Sequence, residues 1–158
     1  MGRNTESLTH MGAEGINWVG KSRYLGNSHI FQNLGEGTYF HSGSLAIRQA
    51  VAAGINITYK ILFNDAVAMT GGQPVDGQIT VQGIAQQVVA EGVKRVVVLS
   101  DEPEKYNKHK HHFPKTVTFH DRSELDSIQK ELRAISGCTV LIYDQTCAAA
   151  FSFNGLQG

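Results

Sequence analysis

The chain has very little cysteine: Cys138 and Cys147 are the only two in 158 residues. Two thiols cannot build the disulfide framework of a small secreted domain, nor the four-cysteine set of an iron–sulfur cluster. Net charge is also lacking. Lysine plus arginine and aspartate plus glutamate number 14 each, so no excess of one sign draws the chain to nucleic acid or to an anionic membrane. No apolar run approaches the roughly 20 residues of a membrane-spanning helix. The start Met1-Gly2-Arg3-Asn4-Thr5-Glu6 lacks the basic and apolar regions of a secretory signal. Internal repeats and low-complexity linkers are absent. The expectation is a cytoplasmic protein with reduced thiols that binds neither nucleic acid nor membrane.

What is present is an ordinary globular composition, 41% hydrophobic, at a length that suits one domain with a substantial core. The first thirty residues are interrupted by Gly12, Gly15, Gly20 and Gly26 and read as loop with at most one short helix. A short strand over His29–Asn33 follows. Ser42 or Ser44 is the expected cap of a helix running to Ala53, with Leu45, Ile47, Ala50 and Val51 on one face and Gly54 as its stop. Ile55–Phe63 is rich in β-branched and aromatic residues and reads as a buried strand.

Beyond it, Thr70–Gly77 is an irregular loop, Val81–Ala90 a helix closed by Gly92, and Arg95–Leu99 a buried strand. Glu102–Pro114 reads as a polar loop, Thr116–Phe119 as a strand, and Ser123–Ile135 as a helix with a capping box between Ser123 and Asp126. Cys138–Tyr143 is a final buried strand after Gly137. Strands alternating with helices imply right-handed crossovers and an α/β fold, three-layer α/β/α with a mostly parallel sheet.

Two blocks in this pattern carry chemistry. Asn33-Leu34-Gly35-Glu36-Gly37-Thr38 leaves one strand, and Asn64-Asp65-Ala66-Val67-Ala68-Met69-Thr70-Gly71-Gly72-Gln73 leaves the next. Both then lie at the carboxyl edge of a parallel sheet, where open α/β sheets bind ligands. Gly35 and Gly37 let a bulky anion approach closely. Glu36 would repel a phosphate unless a cation lay between them, and a hard cation such as Mg²⁺ takes one or two protein oxygens plus phosphate oxygens and water. Glu36, Asn64 and a nearby carbonyl fit that requirement. The rival Gly-x-Gly-x-x-Gly motif fails because Phe40 stands at its sixth position. An ordinary strand-to-helix turn remains the plain alternative.

These residues resemble a family. The Gly-Asp-Gly signature of thiamine diphosphate enzymes is followed, one helix and one strand later, by an Asn or its equivalent, and together they hold Mg²⁺ on the diphosphate. Here the separation is 64 − 36 = 28 positions. More closely, Gly35-Glu36-Gly37-Thr38-Tyr39-Phe40-His41-Ser42-Gly43, Asn56-Ile57-Thr58-Tyr59-Lys60-Ile61-Leu62 and Asn64 through Gln73 resemble the thiamine-binding domain of indolepyruvate ferredoxin oxidoreductase. The likeness runs from about Asn4 to Cys147. Glu36 stands where the family has Asp, one methylene longer with the same charge.

The resemblance implies Mg²⁺ ligation by Glu36, Asn64 and the Ala66 carbonyl. It places Gly35, Gly37, Thr38, Asp65, Thr70, Gly71, Gly72 and Gln73 around thiamine diphosphate. His10 and Glu14, surface loop residues by composition, gain a ligand role because the family has a similar block before its Gly-Asp-Gly strand. The implied reaction is oxidative decarboxylation of an aryl pyruvate, a 2-oxoacid, to the acyl-coenzyme A with ferredoxin as electron acceptor.

Family members are longer, with iron–sulfur clusters and a pyrimidine-binding domain whose Glu activates the cofactor. No counterpart of that Glu is found here, so the catalytic residues are unassigned. The chain is expected to be a cofactor-binding fragment, inactive alone with activity lying in the full enzyme, that self-associates as a homo-oligomer. The competing reading is a non-catalytic α/β module binding a nucleotide or protein partner at the sheet edge. Lys108-His109-Lys110-His111-His112 reads as a solvated loop, since its lysines repel a cation, and Cys147 as a passive thiol.

Overall fold

The computed structural model describes residues 9–26, 28–64 and 79–145. Its frame is five strands: β1 (Ile30–Gly35), β2 (Ile57–Phe63), β3 (Arg95–Ser100), β4 (Thr118–Asp121) and β5 (Cys138–Asp144). All pair in parallel, in the order β1-β2-β5-β3-β4. The inner strands β2, β3 and β5 are nearly continuous apolar runs because layers on both faces exclude water from them. Register aligns Gly35 with Leu62, Leu62 with Tyr143, and Phe63 with Asp144. The exits of β1, β2 and β5 therefore stand level at one edge.

The helices are α1 (Ile16–Lys21), α2 (Glu36–Thr38), α3 (Ser44–Ala53), α4 (Val81–Ala90) and α5 (Leu125–Ala134), with a π turn, Tyr39–Gly43, joining α2 to α3. Strand alternation sorts side chains to two layers. Ile57, Tyr59, Ile61, Val96, Val98, Val140 and Ile142 pack with Trp18 of α1, Ile47 of α3 and Ile84 and Val88 of α4. Val97, Leu99 and Leu141 point the other way, onto Ile128 and Leu132 of α5. The result is the expected three-layer α/β/α arrangement. Full burial of each side chain such as Ile57, Ile84 or Ile142 contributes roughly 1.5–3 kcal/mol.

Gly54 ends α3 as expected: at φ 64° its N–H returns to Val51 O at 3.0 Å, and that of Ile55 reaches Ala50 O at 3.4 Å. This pair of bonds closes the last turn and favours a residue without Cβ. Helix α4 matches its expected span and is capped by Thr80, whose side chain accepts from Gly83 N.

Three expectations need correction. Neither Ser42 nor Ser44 caps a helix, because the helical run begins at Glu36, with Gly35 as its N-cap. Ser42 lies inside the π turn instead. The capping box is formed by Asp121 and Glu124: Asp121 Oδ1 accepts from Ser123 N at 2.8 Å, and Glu124 Oε1 from Asp121 N at 3.2 Å. The sequence Asp121-Arg122-Ser123-Glu124 has the same three-residue reach as the Ser123/Asp126 pair but starts earlier. Finally, the polar stretch 102–114 is not wholly irregular. Two 3₁₀ turns, Pro103–Tyr106 and Lys110–His112, form there, and Tyr106 and Phe113 are buried.

Candidate functional site

Strand β1 delivers Glu36 to the carboxyl edge of the sheet, where it becomes the first residue of the helical run after Gly35. A carboxylate there meets the positive end of the helix. Glu36 is only 3% exposed, and its Oε2 accepts the backbone N–H of Asn64 at 2.9 Å. The two residues singled out from spacing are therefore in direct contact. In this bond Asn64 meets Glu36 through its main chain.

Gly35 sits at φ −71° and ψ 151°, a conformation open to any residue. Among the described residues, a Cβ built on Gly35 or Gly37 meets nothing within 4 Å. Thr38, by contrast, is buried.

The loop carrying His10 and Glu14 docks on the π turn. Gly12, at φ 99°, lies so close that an added Cβ would stand 2.0 Å from Ser42 Oγ. Glu14 folds back, its Oε2 accepting from Gly12 N at 2.8 Å, while its carbonyl accepts from the buried Tyr59 hydroxyl at 3.0 Å. His10 is exposed. The loop thus packs against the helical run that starts at Glu36, and a π turn inside such a run is a feature often found beside functional sites. Asp65, Ala66, Thr70, Gly71, Gly72 and Gln73 lie outside the described residues.

Sequence reasoning missed a second group at the same edge. Asp144 ends β5 and is 8% exposed; it accepts a hydrogen bond from the Tyr106 hydroxyl and forms an ion pair with Lys105 Nζ at 2.6 Å. Burial, and then the Asp144 carboxylate, push the Tyr106 phenol far above its ordinary range. These three residues border a cleft of about 480 Å³ whose apolar side is Phe63, Ile79, Val81 and Phe113. The available signal was positional: Asp144 leaves its strand as Asn64 leaves β2.

At the opposite end of the sheet, His29 Nε2 meets Thr58 Oγ1 at 2.8 Å, and Thr58 Oγ1 meets Thr139 Oγ1 at 2.7 Å. Burial, with Arg133 nearby, lowers the His29 pKa. Cys138 is buried in the core, which pushes its thiol up to about 12 and leaves it unreactive as a nucleophile. His109, His111 and His112 are exposed. Among the described residues no helix is long and apolar enough to cross a membrane.

No family model matches the chain, and no curated protein matches it. Among solved structures, the chain is similar to an X-ray structure from Mycobacterium smegmatis provisionally described as a thiamin diphosphate-dependent enzyme. The TM-score is 0.54 at 17% identity over 82% of this chain. The chain spans 20% of that protein's length. This likeness shows the shared fold: an α/β architecture on a parallel sheet.

Proposed function

We propose that the chain is the thiamine diphosphate-binding part of a larger enzyme, with Mg²⁺ held at Glu36 and Asn64. The observation that carries this reading is the 2.9 Å bond between Asn64 N and Glu36 Oε2. It joins the two ligand positions at adjacent strand exits of a fold that resembles such an enzyme.

The donor set fits the group. Mg²⁺ takes one or two carboxylates and completes its shell with phosphate oxygens and water. Glu36 offers a carboxylate at a helix start, and among the described residues nothing lies within 4 Å of a Cβ built on Gly35 or Gly37. When bound, the cofactor supplies an electron sink for a substrate carbanion. The chain's own part is to bind and orient the diphosphate, with Asn64 N–H fixing the direction of the Glu36 carboxylate.

The finer reading is an indolepyruvate ferredoxin oxidoreductase. It would oxidise an aryl 2-oxoacid to the acyl-coenzyme A in the cytoplasm, with iron–sulfur clusters and ferredoxin supplied outside this chain. What supports it is the residue match over Gly35–Gly43 and Asn56–Leu62. Met11, Phe40 and Leu45 are exposed at 58%, 46% and 59%, which favours self-association or docking to the missing domains. Titration calorimetry with thiamine diphosphate, with and without Mg²⁺, tests the cofactor reading. Binding that survives removal of divalent cations would favour the nucleotide-binding module instead.

A further inference from the structure

Glu36 opens a run that stays α-helical only as far as Thr38, where the π turn takes over. So short a turn cannot hold a direction by its own hydrogen bonds, because a first helical turn is costly to form alone. The angle at which Glu36 meets Asn64 must therefore come from packing. We propose, on the reading of Glu36 as the carboxylate that faces Mg²⁺, that Tyr39 is the positioning residue that sets this angle, through the bond its hydroxyl makes to Gln87 of α4.

Tyr39 is the junction of the run. Its N–H donates to Glu36 O and closes the α turn, while its carbonyl accepts the N–H of Ser44 across the longer reach of a π turn. The side chain is 1% exposed, and its hydroxyl donates to Gln87 Oε1 at 2.7 Å. Helix α4 is a firm support for that bond: Ile84 and Val88 are fully buried in the core, and Glu91 is paired with Arg48 of α3 at 2.5 Å. On its other side the turn rests on β1, since a Cβ added at Gly43 would stand 2.8 Å from Leu34 Cδ1 and 3.1 Å from Thr38 O. The run is held between β1 and α4, and Tyr39 makes the link to α4.

Packing alone would be served by a phenylalanine ring of the same shape; the hydroxyl adds a directional bond. Because Tyr39 N–H and Glu36 O belong to one turn, a rotation of Tyr39 carries the Glu36 carboxylate with it, relative to the Asn64 N–H that it accepts at 2.9 Å. Gln87 is exposed, so without the hydroxyl its amide turns to water at little cost. Stability and orientation are thereby separable. Tyr39→Phe keeps the buried ring and loses only the tie to α4.

The test has two arms, both on the full chain. Without cofactor, NMR amide exchange at Asn64 reports the bond to Glu36; Tyr39→Phe should accelerate it at least about fivefold, while Val97 in the sheet exchanges at nearly the parent rate. Gln87→Leu should reproduce the change, and the double variant should be no worse than either single one. Gln86→Leu is the control, because that amide turns instead to His112 O at 2.8 Å. With Mg²⁺, calorimetry should show thiamine diphosphate binding weakened about three- to tenfold in Tyr39→Phe and Gln87→Leu and unchanged in Gln86→Leu. Unchanged Asn64 exchange, equal acceleration at Val97, or undiminished Mg²⁺-dependent affinity in Tyr39→Phe would overturn the proposal. If the parent itself shows no Mg²⁺-dependent binding, the cofactor reading fails and the proposal with it, whereas a parent that binds and a Tyr39→Phe that binds equally well removes Tyr39 alone.

Discussion

Asn64 N–H donates to Glu36 Oε2 at 2.9 Å, tying the exit of β2 to the helix start that follows β1. The bond fixes one oxygen of a buried carboxylate. The link is made by the main chain of Asn64.

Tyr59 tests how the loop at residues 10–15 is held. Its hydroxyl donates toward Glu14 O at 3.0 Å and Ala46 O at 3.3 Å, and the side chain is fully buried. Tyr59→Phe should destabilise the protein by about 1–3 kcal/mol, the cost of leaving buried acceptors unpaired. Amide exchange at Gly15 and Ile16 should accelerate more than exchange at Val97. Uniform acceleration would mean that the hydroxyl does not anchor the loop.

Helix α5 offers a paired comparison. Asp121→Ala removes the capping acceptor and should cost about 0.5–2 kcal/mol. Asp126→Ala removes only an exposed pair with Lys130 at 2.6 Å and should cost no more than about 0.5 kcal/mol. Urea unfolding of the two variants measures the difference. A larger loss at Asp126 would return the cap to the Ser123/Asp126 position.

These elements show what was legible in the sequence. Strands β2, β3 and β5 were readable because burial on both faces forces unbroken apolar runs, and α4 because its apolar spacing lies between Thr80 and Gly92. The start of the first long helical run was not. Gly37 and Gly43 within it look like breakers, and a π turn has no apolar period of its own. Glu36 and Asn64 were found by their positions at strand exits, and the contact between them followed from register. Lys105, Tyr106 and Asp144 were hidden because their contact crosses some 38 positions of chain, and the loop that brings them together reads as solvated from its charges.

His29 sets a pH dependence. Its folded pKa is lowered from 6.5, chiefly by burial and then by Arg133, so the ring is neutral in the folded protein where the unfolded chain begins to protonate. The unfolded state then binds more protons, and stability falls as pH drops through 6.5 toward the lowered folded value. At higher pH both states are neutral and the effect vanishes. Denaturation midpoints measured on both sides of that window should show a slope that His29→Gln reduces. An unchanged slope would assign it to other groups.

The account's central claim is a Mg²⁺-dependent diphosphate site at Glu36, and the most direct measurement is calorimetric titration of thiamine diphosphate into the parent and Glu36→Gln, each with and without Mg²⁺. Gln keeps the shape and an oxygen for the Asn64 N–H but removes the charge that attracts the cation. The predicted result is binding by the parent only with Mg²⁺, weakened in Glu36→Gln by at least about tenfold, roughly 1.4 kcal/mol. Equal affinity in the two proteins, or binding by the parent that is indifferent to Mg²⁺, would contradict it.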